Sequence, residues 1–340
     1  MNVGILGAGN ISDTHARAAA AIPGVKIVAV HGGNHARAER LAAAYGAPAY
    51  ADLDSFLAHA PMDLVAIGSP SGLHAEQGIA SCRRGLHVLV EKPIDITVAR
   101  ADALIGAADE AGVRLGVFFQ DHAQPDIVRL HEAITSGRIG RPLLASARGT
   151  WYRPPEYYGQ SRWRGTWALD GGGALMNQGI HTADLLSWLL GPVRRVSATA
   201  ATALHAIEVE DTIVALVEFE SGALATLEAT TAAYPGYRRR VEITGTEGTV
   251  VLEHDRIVAA DLRTPAGELS AAQSSDQNAS ASSPIVSDAG GHQRIFEDFI
   301  EAVRRGREPR CSGRDARRSL QLVTSIYEAA KRGTWVDIGS

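Results

Sequence analysis

VGILGAGNIS, residues 3–12, is the stretch that decides the fold of the N-terminal part of this chain. Its first four residues have the continuous apolar character of a buried strand, and a helical pattern follows over residues 10–21. Gly7 permits a tight turn between the two, and Gly9 permits a pyrophosphate to approach the free N–H groups at the start of the helix. We therefore expect a dinucleotide-binding turn rather than a plain tight turn. The cofactor-binding residues expected here are Gly7, Gly9, Asn10 and Ile11.

The alternation of strands and helices continues to about residue 120. A second strand pattern covers residues 26–30, and three more follow at 64–67, 87–90 and 114–118. Helical stretches separate them, and this alternation is typical of a doubly wound parallel sheet with helices on both faces. We therefore expect an α/β fold that begins with a Rossmann domain at residues 1–120.

Ligands of such sheets bind at the carboxyl edge, where several polar segments of this chain end their strands. Ser69 and His74 belong to a loop that opens a helix after one strand, and His74 is either a cofactor contact or a partly buried helix-start residue. Glu91 and Lys92 follow the apolar run at residues 88–90. A buried ammonium is costly, so Lys92 should face the crevice, although a lone lysine there could equally close a strand at the surface.

The segment after the second strand, VHGGNHAR at residues 30–37, bears on the choice of dinucleotide. A carboxylate here usually binds the ribose hydroxyls of NAD, and this segment has none. A 2′-phosphate would meet no like charge near Gly32, and Arg37 could pair with it. The segment favours NADP over NAD, unless Arg37 is an ordinary arginine on a helix surface.

From about Gln120 the pattern changes to an aromatic, arginine-rich stretch that is too irregular for a helix. Aromatic faces stack on sugar or nicotinamide rings, so the stretch could line a polar ligand pocket or simply pack as a loop. A glycine run at residues 171–173 leads into a predicted helix at 174–190, which carries Asn177 and His181 four residues apart on one face. Such a pair is either a satisfied core hydrogen bond or part of a site. The substrate-binding residues expected are Gln120, Trp163, Arg164 and Asn177.

After Gly191 the chain becomes rich in short strands joined by turn signals. This spacing predicts a large, mostly antiparallel open sheet within a second α/β domain at residues 121–340. The strand at residues 212–220 is apolar on both faces, which indicates a homodimer or homotetramer formed through this sheet. Residues 269–291 are rich in Ser, Ala, Asp and Gly and predict a long mobile loop. Two amphipathic helices then close the chain.

Composition excludes several classes of partner. The 340 residues carry 33 basic and 38 acidic side chains, so we expect no nucleic-acid or polybasic membrane surface. No apolar stretch reaches the roughly 18–20 residues that span a bilayer. The start of the chain has no signal-peptide pattern, and two distant cysteines, Cys82 and Cys311, suit a reducing cytoplasm. The 12 histidines show no zinc-binding spacing, so no metal site is expected.

The order of three motifs resembles the Gfo/Idh/MocA family of NAD(P)-dependent oxidoreductases. These motifs are the Gly7–Gly9 turn, Glu91-Lys92-Pro93 and the glycine run followed by Asn177 and His181. The resemblance implies a Rossmann domain, an open-sheet domain that commonly forms the oligomer interface, and an active-site lysine at Lys92. The family's usual Asp and His on the helix correspond to Asn177 and His181 here. Residues 163–181 look most similar to the branch that oxidises UDP-linked amino-sugar uronic acids.

The resemblance implies hydride transfer between a nicotinamide cofactor and a secondary alcohol of a sugar, cyclitol or nucleotide sugar. His181 would act as the base, since its ordinary pKa lies near 7, and Lys92 would stabilise the developing alkoxide. Asn177 would position a hydroxyl or the imidazole, but it cannot stabilise an imidazolium by charge. Two alternatives remain: a glycoside-cleaving enzyme that uses bound NAD, and a non-catalytic dinucleotide sensor. A sensor would need neither Lys92 nor His181.

Overall fold

The computed structural model describes residues 1–159, 163–269 and 289–339, and among these the chain forms two compact units. The first contains residues 1–123 and 289–317. The second contains residues 124–269 and 318–339. The α/β class expected from the sequence is confirmed, with a Rossmann-type parallel sheet in the first unit and a mixed, mostly antiparallel sheet in the second.

The first unit is built on a six-stranded parallel sheet with the order β3-β2-β1-β4-β5-β6. Its strands are β1 (Asn2–Leu6), β2 (Lys26–His31), β3 (Ala49–Tyr50), β4 (Leu64–Ile67), β5 (His87–Val90) and β6 (Leu115–Val117). The strand order reverses between β1 and β4, which both run parallel to their neighbours. This reversal opens a crevice at the carboxyl ends of the central strands, where doubly wound sheets bind ligands.

Helices connect the strands of this sheet. They are Asn10–Ala20, His35–Ala43, Leu53–Leu57, His74–Cys82 and Val98–Ala111, with short 3₁₀ turns at Ser71–Leu73 and Gln120–Ala123. The two-residue strand β3 was missed in the sequence because it is too short to carry a pattern. Apolar residues of β1, β2 and the helix Asn10–Ala20 form the main core beside the sheet.

Residues 289–317 join the first unit, although the expected domain boundary at residue 120 assigned them to the second. The helix Gly290–Arg305 buries Ile295, Phe296 and Phe299 in the same core as Phe118. The backbone N–H of Val117 also donates to the carbonyl of Cys311 at 3.1 Å. The chain therefore returns to its first unit because one strongly amphipathic helix completes that core.

The second unit is built on an eight-stranded sheet with the order β13-β12-β11-β7-β10-β9-β8-β14. Its strands are β7 (Pro142–Thr150), β8 (Val193–Ala201), β9 (Thr212–Phe219), β10 (Leu224–Thr230), β11 (Arg240–Gly245), β12 (Gly248–Glu253), β13 (Arg256–Leu262) and β14 (Val336–Asp337). All pairs are antiparallel except β7 with β10. The sequence did not indicate β7, because its inward residues include Ala145, Ala147 and Gly149 rather than large apolar side chains.

The helices of the second unit include Pro125–Thr135, Pro155–Gly159 and Ile180–Leu190. The helix predicted at residues 174–190 is correct in extent but not uniform, because Ala174–Gly179 is a π-helix. A π-helix bonds residue i to i+5, so the α-helical argument that put Asn177 and His181 on one face does not hold across this junction. The long helix Gly313–Arg332 contains the boundary between the units.

Most of the predicted loop at residues 269–291 lies outside the described residues. At its described ends, Leu269 ends a 3₁₀ turn and Gly290 begins a helix. Within the described parts of the chain, no helix combines the length and apolar character that a membrane crossing requires.

Candidate functional site

Most of the residues expected to bind the cofactor lie at the carboxyl edge of the parallel sheet. Gly7 follows β1, Gly32 follows β2, Ser69 lies two residues past the end of β4, and Glu91 follows β5. Parallel strands all present their carboxyl ends on one side, so these positions converge on the crevice where β1 and β4 diverge. The structure therefore brings together Gly7, Gly9, Asn10, Ile11, Gly32, Ser69, Glu91 and Lys92.

The glycine turn fits a dinucleotide. Gly7 has a φ of +126°, and a Cβ there would lie 2.4 Å from Ser12 Oγ and 2.7 Å from the carbonyl oxygen of Gly68. A Cβ on Gly9 would meet nothing within 4 Å, so space is open beside its backbone. No side chain caps the helix that begins at Asn10. Its first N–H groups and dipole therefore face that space, as a pyrophosphate requires.

Glu91 is the centre of a buried hydrogen-bond cluster in the first unit. Its Oε1 accepts from His15 Nε2 at 3.0 Å and lies 3.2 Å from His292 Nε2. Its Oε2 accepts from the backbone N–H of Lys92 at 3.1 Å. The Nε2 of Gln120 lies 2.7 Å from the same nitrogen of His292. Glu91 therefore fixes the backbone at Lys92 and is itself fixed by two histidines.

The charge state of this cluster follows from its burial. Burial alone would raise the pKa of Glu91, but hydrogen bonds from His15 and His292 hold that pKa well below its ordinary value. Burial also lowers the pKa of His15, and this effect outweighs the opposing influence of Glu91. The lowered pKa of Glu91 and the lowered pKa of His15 both indicate that a neutral imidazole donates to an ionised carboxylate. His15 also stacks on Phe118, with ring centroids 4.2 Å apart.

These three side chains have the chemistry of metal ligands. Nitrogens of His15 and His292 and an oxygen of Glu91 all lie within 4.8 Å of one another. The sequence indicated no metal site, because no spacing pattern links residues so far apart along the chain. The hydrogen bonds described above account for the arrangement of the three groups, so we assign the cluster a structural role around Lys92.

His74 is buried and both of its ring nitrogens face backbone carbonyls. Nδ1 lies 2.8 Å from the oxygen of Pro93, and Nε2 lies 2.9 Å from the oxygen of Ser69. Burial lowers the pKa of His74, and the two carbonyls oppose this. Ser69 Oγ in turn donates to Gln77 at 2.6 Å. These contacts support the role of His74 as a buried residue at the start of a helix. Its ring connects the loop that contains Ser69 to the loop that contains Pro93.

Arg37 lies in the first turn of the helix His35–Ala43 and is exposed. In the described part of the chain no carboxylate lies within ion-pairing distance of its guanidinium, whereas Glu39 contacts His35 at 3.4 Å. Gly32 is buried, and a Cβ on it would come within 2.8 Å of Ala8. The segment after β2 therefore passes close to the glycine turn.

In the second unit, Asn177 lies within the π-helix and His181 is the second residue of the α-helix that follows. Both side chains are half-buried. The Nδ2 of Asn177 donates to Asp170 at 2.7 Å, and its Oδ1 accepts from Gln178 at 3.2 Å. Asn177, the first of the two polar residues on this otherwise apolar helical segment, is thus joined to a buried carboxylate.

A second buried carboxylate, Glu210, anchors the start of the π-helix. Its oxygens accept from the backbone N–H groups of Gly173 and Leu175 at 2.9 and 2.8 Å. The hydroxyl of Tyr327 donates to Glu210 at 2.9 Å and accepts from the N–H of Met176 at 3.0 Å. Burial raises the pKa of Glu210, and the backbone N–H groups only partly offset this. Together these two side chains satisfy donors that a helix start leaves open.

Trp163 and Arg164 belong to an aromatic cluster of the same unit. The guanidinium of Arg164 lies 4.3 Å from the ring centroid of Tyr157 and 5.3 Å from that of Trp163. Gln178 connects this cluster to the π-helix, because its Nε2 donates to the Tyr157 hydroxyl at 3.2 Å. Arg162, another arginine of this stretch, lies outside the described residues.

Sequence reasoning missed the residues that hold the predicted ones in place. These are His15, Asp170, Glu210, His292 and Tyr327. Four of them give a local signal, because His15, His292 and Tyr327 are polar residues on helices and Asp170 precedes the glycine run, whereas Glu210 lies in the loop before β9. That signal was available, because buried polar groups need partners, but the partner itself cannot be named from one sequence.

Two family models match the chain. Residues 1–119 match a model described as an oxidoreductase family with an NAD-binding Rossmann fold, and residues 127–251 match one described as the GFO/IDH/MocA C-terminal domain. Together they cover more than half of the chain.

Similar proteins include several sugar and cyclitol enzymes. Inositol 2-dehydrogenase of Rhizobium meliloti (strain 1021) is 29% identical over 98% of both chains. 1,5-Anhydro-D-fructose reductase of Ensifer adhaerens is 30% identical over 82% of this chain and 80% of its own length. The WlbA dehydrogenase from Bordetella pertussis, solved with NADH and UDP-GlcNAcA, has a TM-score of 0.91 and 33% identity, covering 100% of this chain and 98% of the other.

Proposed function

Because the chain belongs to the Gfo/Idh/MocA family of oxidoreductases, we propose that it transfers a hydride between a nicotinamide dinucleotide and a secondary alcohol of a sugar, cyclitol or nucleotide sugar. The proposal rests on the arrangement of residues at the carboxyl edge of the parallel sheet in the first unit. There an uncapped helix start faces open space at Gly9, and Glu91 fixes the backbone of Lys92 on the same edge.

The chemistry assigned to this chain is the oxidation of an alcohol to a carbonyl, or its reverse. The turn at Gly7 and Gly9 would hold the dinucleotide, whose nicotinamide would supply the hydride acceptor or donor. His181 takes the hydroxyl proton as the general base. Lys92 donates a hydrogen bond to the same oxygen and stabilises the negative charge that develops on it. Asn177 positions the hydroxyl or the imidazole, and Trp163, Arg164 and Gln120 contact the substrate.

Among the substrate classes, we propose UDP-linked sugar uronic acids first. The resemblance of residues 163–181 to enzymes of that class supports this choice, as does the 33% identity to a dehydrogenase solved with UDP-GlcNAcA. A location in a reducing cytoplasm is part of the same proposal, and it agrees with two buried free thiols, Cys82 and Cys311.

Purified enzyme should reduce the dinucleotide in a screen of UDP-linked uronic acids, cyclitols and aldoses, followed by the absorbance of the reduced nicotinamide. Lys92→Ala and His181→Ala should each lower kcat by at least ~100-fold, since general acid–base catalysis is worth about that much. Both variants should still bind the dinucleotide. Lys331→Ala, at an exposed lysine, is the control and should behave as wild type. Near-normal turnover in either site variant, or sugar release without net dinucleotide reduction, would contradict the proposal.

The same assay tests the proposed preference for NADP. The segment after β2 has no carboxylate at residues 30–37, and Arg37 is exposed there without a described ion-pair partner. We expect kcat/KM with NADP to exceed that with NAD, and Arg37→Ala to reduce the difference. A clear preference of the wild-type enzyme for NAD would refute this part.

A further inference from the structure

Asp170 is a buried carboxylate, 2% exposed, that directly precedes the glycine run of the second unit. Its Oδ1 accepts from Asn177 Nδ2 at 2.7 Å, and its Oδ2 accepts from the backbone N–H of Gly165 at 2.9 Å. We infer that Asp170 is a positioning residue for the reaction, which turns the amide of Asn177 and supplies the negative charge that position 177 lacks. The inference rests on the proposed function, because it gives Asn177 and His181 the catalytic roles stated above.

The hydrogen bond to Asp170 decides which way the amide of Asn177 faces. A carboxylate only accepts hydrogen bonds, so the Asn177 atom at 2.7 Å must be the nitrogen. The amide oxygen therefore points away from Asp170, where it accepts from Gln178. Asn177 thus presents an acceptor on that side, and an acceptor can hold a substrate hydroxyl or an imidazole N–H.

The carboxylate also changes the strength of that acceptor. A hydrogen bond to an ionised group is about twice as strong as a neutral one, and chains of hydrogen bonds polarise one another. Asp170 therefore increases the negative charge on the amide oxygen of Asn177. The resemblance implies a carboxylate at position 177 itself. In this chain the carboxylate belongs to Asp170, which is hydrogen-bonded to the side chain at position 177. The amide of Asn177 transmits part of the charge of that carboxylate to its own oxygen.

The backbone around Asp170 holds this carboxylate in place. The N–H groups of Asp170 and Gly171 both donate to the carbonyl of Thr166 at 3.2 Å. The turn continues through Gly171, whose φ is +76°, and Gly172, whose φ is +158°. A purely structural role would need only the bond between Asp170 and Gly165, which closes this turn. The second bond, to Asn177, is the one that a positioning role requires.

Exchanging the two side chains separates these roles. In Asp170→Asn the new amide can keep the bond to Gly165 through its oxygen, but its NH₂ then faces that of Asn177, which must turn. In the double variant Asp170→Asn/Asn177→Asp, the new amide at 170 accepts from Gly165 and donates to the new carboxylate at 177. The bond to Gly165 and the bond between positions 170 and 177 are then both restored, with the charge moved to the family's usual position. Asp261→Asn, an exposed aspartate of the same unit, is the control.

We expect Asp170→Asn to lower kcat roughly 10- to 100-fold, which corresponds to the loss of one charge-assisted hydrogen bond. The KM for the dinucleotide and the Tm should stay close to the wild-type values. The double variant should recover at least tenfold of the lost kcat. A single variant with wild-type kcat, or a double variant no faster than the single one, would overturn the inference.

A second measurement does not depend on turnover. The side-chain amide signals of Asn177, identified by their absence in Asn177→Asp, should shift in the NMR spectrum of Asp170→Asn and stay unchanged in Asp261→Asn. Unchanged signals in Asp170→Asn would overturn the inference even if the enzyme is active. An inactive wild-type enzyme with the expected shift would instead refute the proposed function and leave the contact between Asp170 and Asn177 established.

Discussion

Gly7 and Gly9 lie two residues apart but differ in what a side chain would meet. Gly7 has a left-handed φ of +126°, and its Cβ would clash with Ser12 and Gly68. Gly9 has an ordinary extended backbone, with φ of −94° and ψ of −176°, and open space where its Cβ would lie. The first glycine is therefore required by the fold, whereas we propose that the second is required by the dinucleotide.

This difference predicts different outcomes for two alanine variants. Gly7→Ala should destabilise the protein by more than about 1 kcal/mol, because alanine is strained at positive φ. Gly9→Ala should keep the wild-type free energy of unfolding within about 0.5 kcal/mol. Its dissociation constant for NADH should nevertheless rise about tenfold or more, because the methyl group fills the space that a pyrophosphate approaches.

Denaturant unfolding and a fluorescence titration with NADH measure the two effects separately. Gly24→Ala, at a positive-φ glycine outside the site with nothing within 4 Å of its Cβ, controls for backbone strain alone. If Gly9→Ala binds NADH as tightly as the wild type, the dinucleotide does not lie against this turn.

The positions of Glu91 and Lys92 at a sheet edge could be predicted from the sequence, but the side chains that contact Glu91 could not. Glu91 and Lys92 follow an apolar run, and this local pattern places them at the edge of a sheet. His15 lies 76 positions from Glu91 and His292 lies 201 positions from it. No local pattern reports contacts at such separations. Asp170 was missed for a different reason, because it lies only seven positions from Asn177 but their bond depends on the turn of an irregular loop.

At the scale of elements, the sequence predicted most of the strands and helices but missed several strands, including β3 and β7. A capping box begins the last long helix, since Ser312 Oγ accepts from the N–H of Asp315 at 3.3 Å and Asp315 accepts from the N–H of Ser312 at 3.0 Å. The π-helix at Ala174–Gly179 was not predicted. An α-helix and a π-helix have similar apolar patterns over one turn, and tertiary contacts from Glu210 and Tyr327 select between them here.

Replacing Glu210, which accepts from N–H groups at the start of the π-helix, should affect both stability and activity. Glu210→Gln leaves one side-chain acceptor for the two backbone N–H groups of Gly173 and Leu175. An unpaired buried donor costs about 1–3 kcal/mol, so the variant should be less stable by that order. It should also have a lower kcat, because the π-helix carries Asn177. Glu220→Gln, at an exposed glutamate, should have neither effect.

The loss of stability caused by Glu210→Gln should become smaller as pH rises. Because burial raises the pKa of Glu210 in the folded state, its contribution to stability is complete below the unfolded value near 4.5 and decreases as pH rises through the folded pKa. The deficit of Glu210→Gln relative to wild type should therefore be largest near pH 4.5 and smaller at pH 8. Denaturant unfolding at both pH values checks this. A deficit that grows with pH would show that the folded pKa is lowered instead.

For the whole molecule, the order of domains along the chain was predictable but their continuity was not. The alternation up to residue 120 and the strand-rich region after Gly191 are each local patterns. The return of residues 289–317 to the first unit depends on the fit of Ile295, Phe296 and Phe299 against that unit's core. The amphipathic pattern shows that the helix needs a partner surface, and it does not say which one.

One face of the second unit's sheet indicates how whole molecules associate. Leu144, Leu216 and Leu224 lie on the adjacent strands β7, β9 and β10 and are 56%, 50% and 52% exposed. Val214, also on β9, is 48% exposed, while Ile213 and Ala215 on the opposite face are buried. Exposed apolar side chains grouped on one sheet face in this way often mark an interaction surface. We propose that a second copy of the chain covers it.

Light scattering should then give a mass of at least twice 35.9 kDa for the wild-type protein. The double variant Leu144→Glu/Leu216→Glu should shift that mass to the monomer, because charged side chains on both copies would face each other in a low-dielectric interface. Leu204→Glu is a matched control, since Leu204 is 54% exposed but lies in the loop between β8 and β9. A monomeric wild-type protein, or a double variant that keeps the wild-type mass, would show that this face is not the interface.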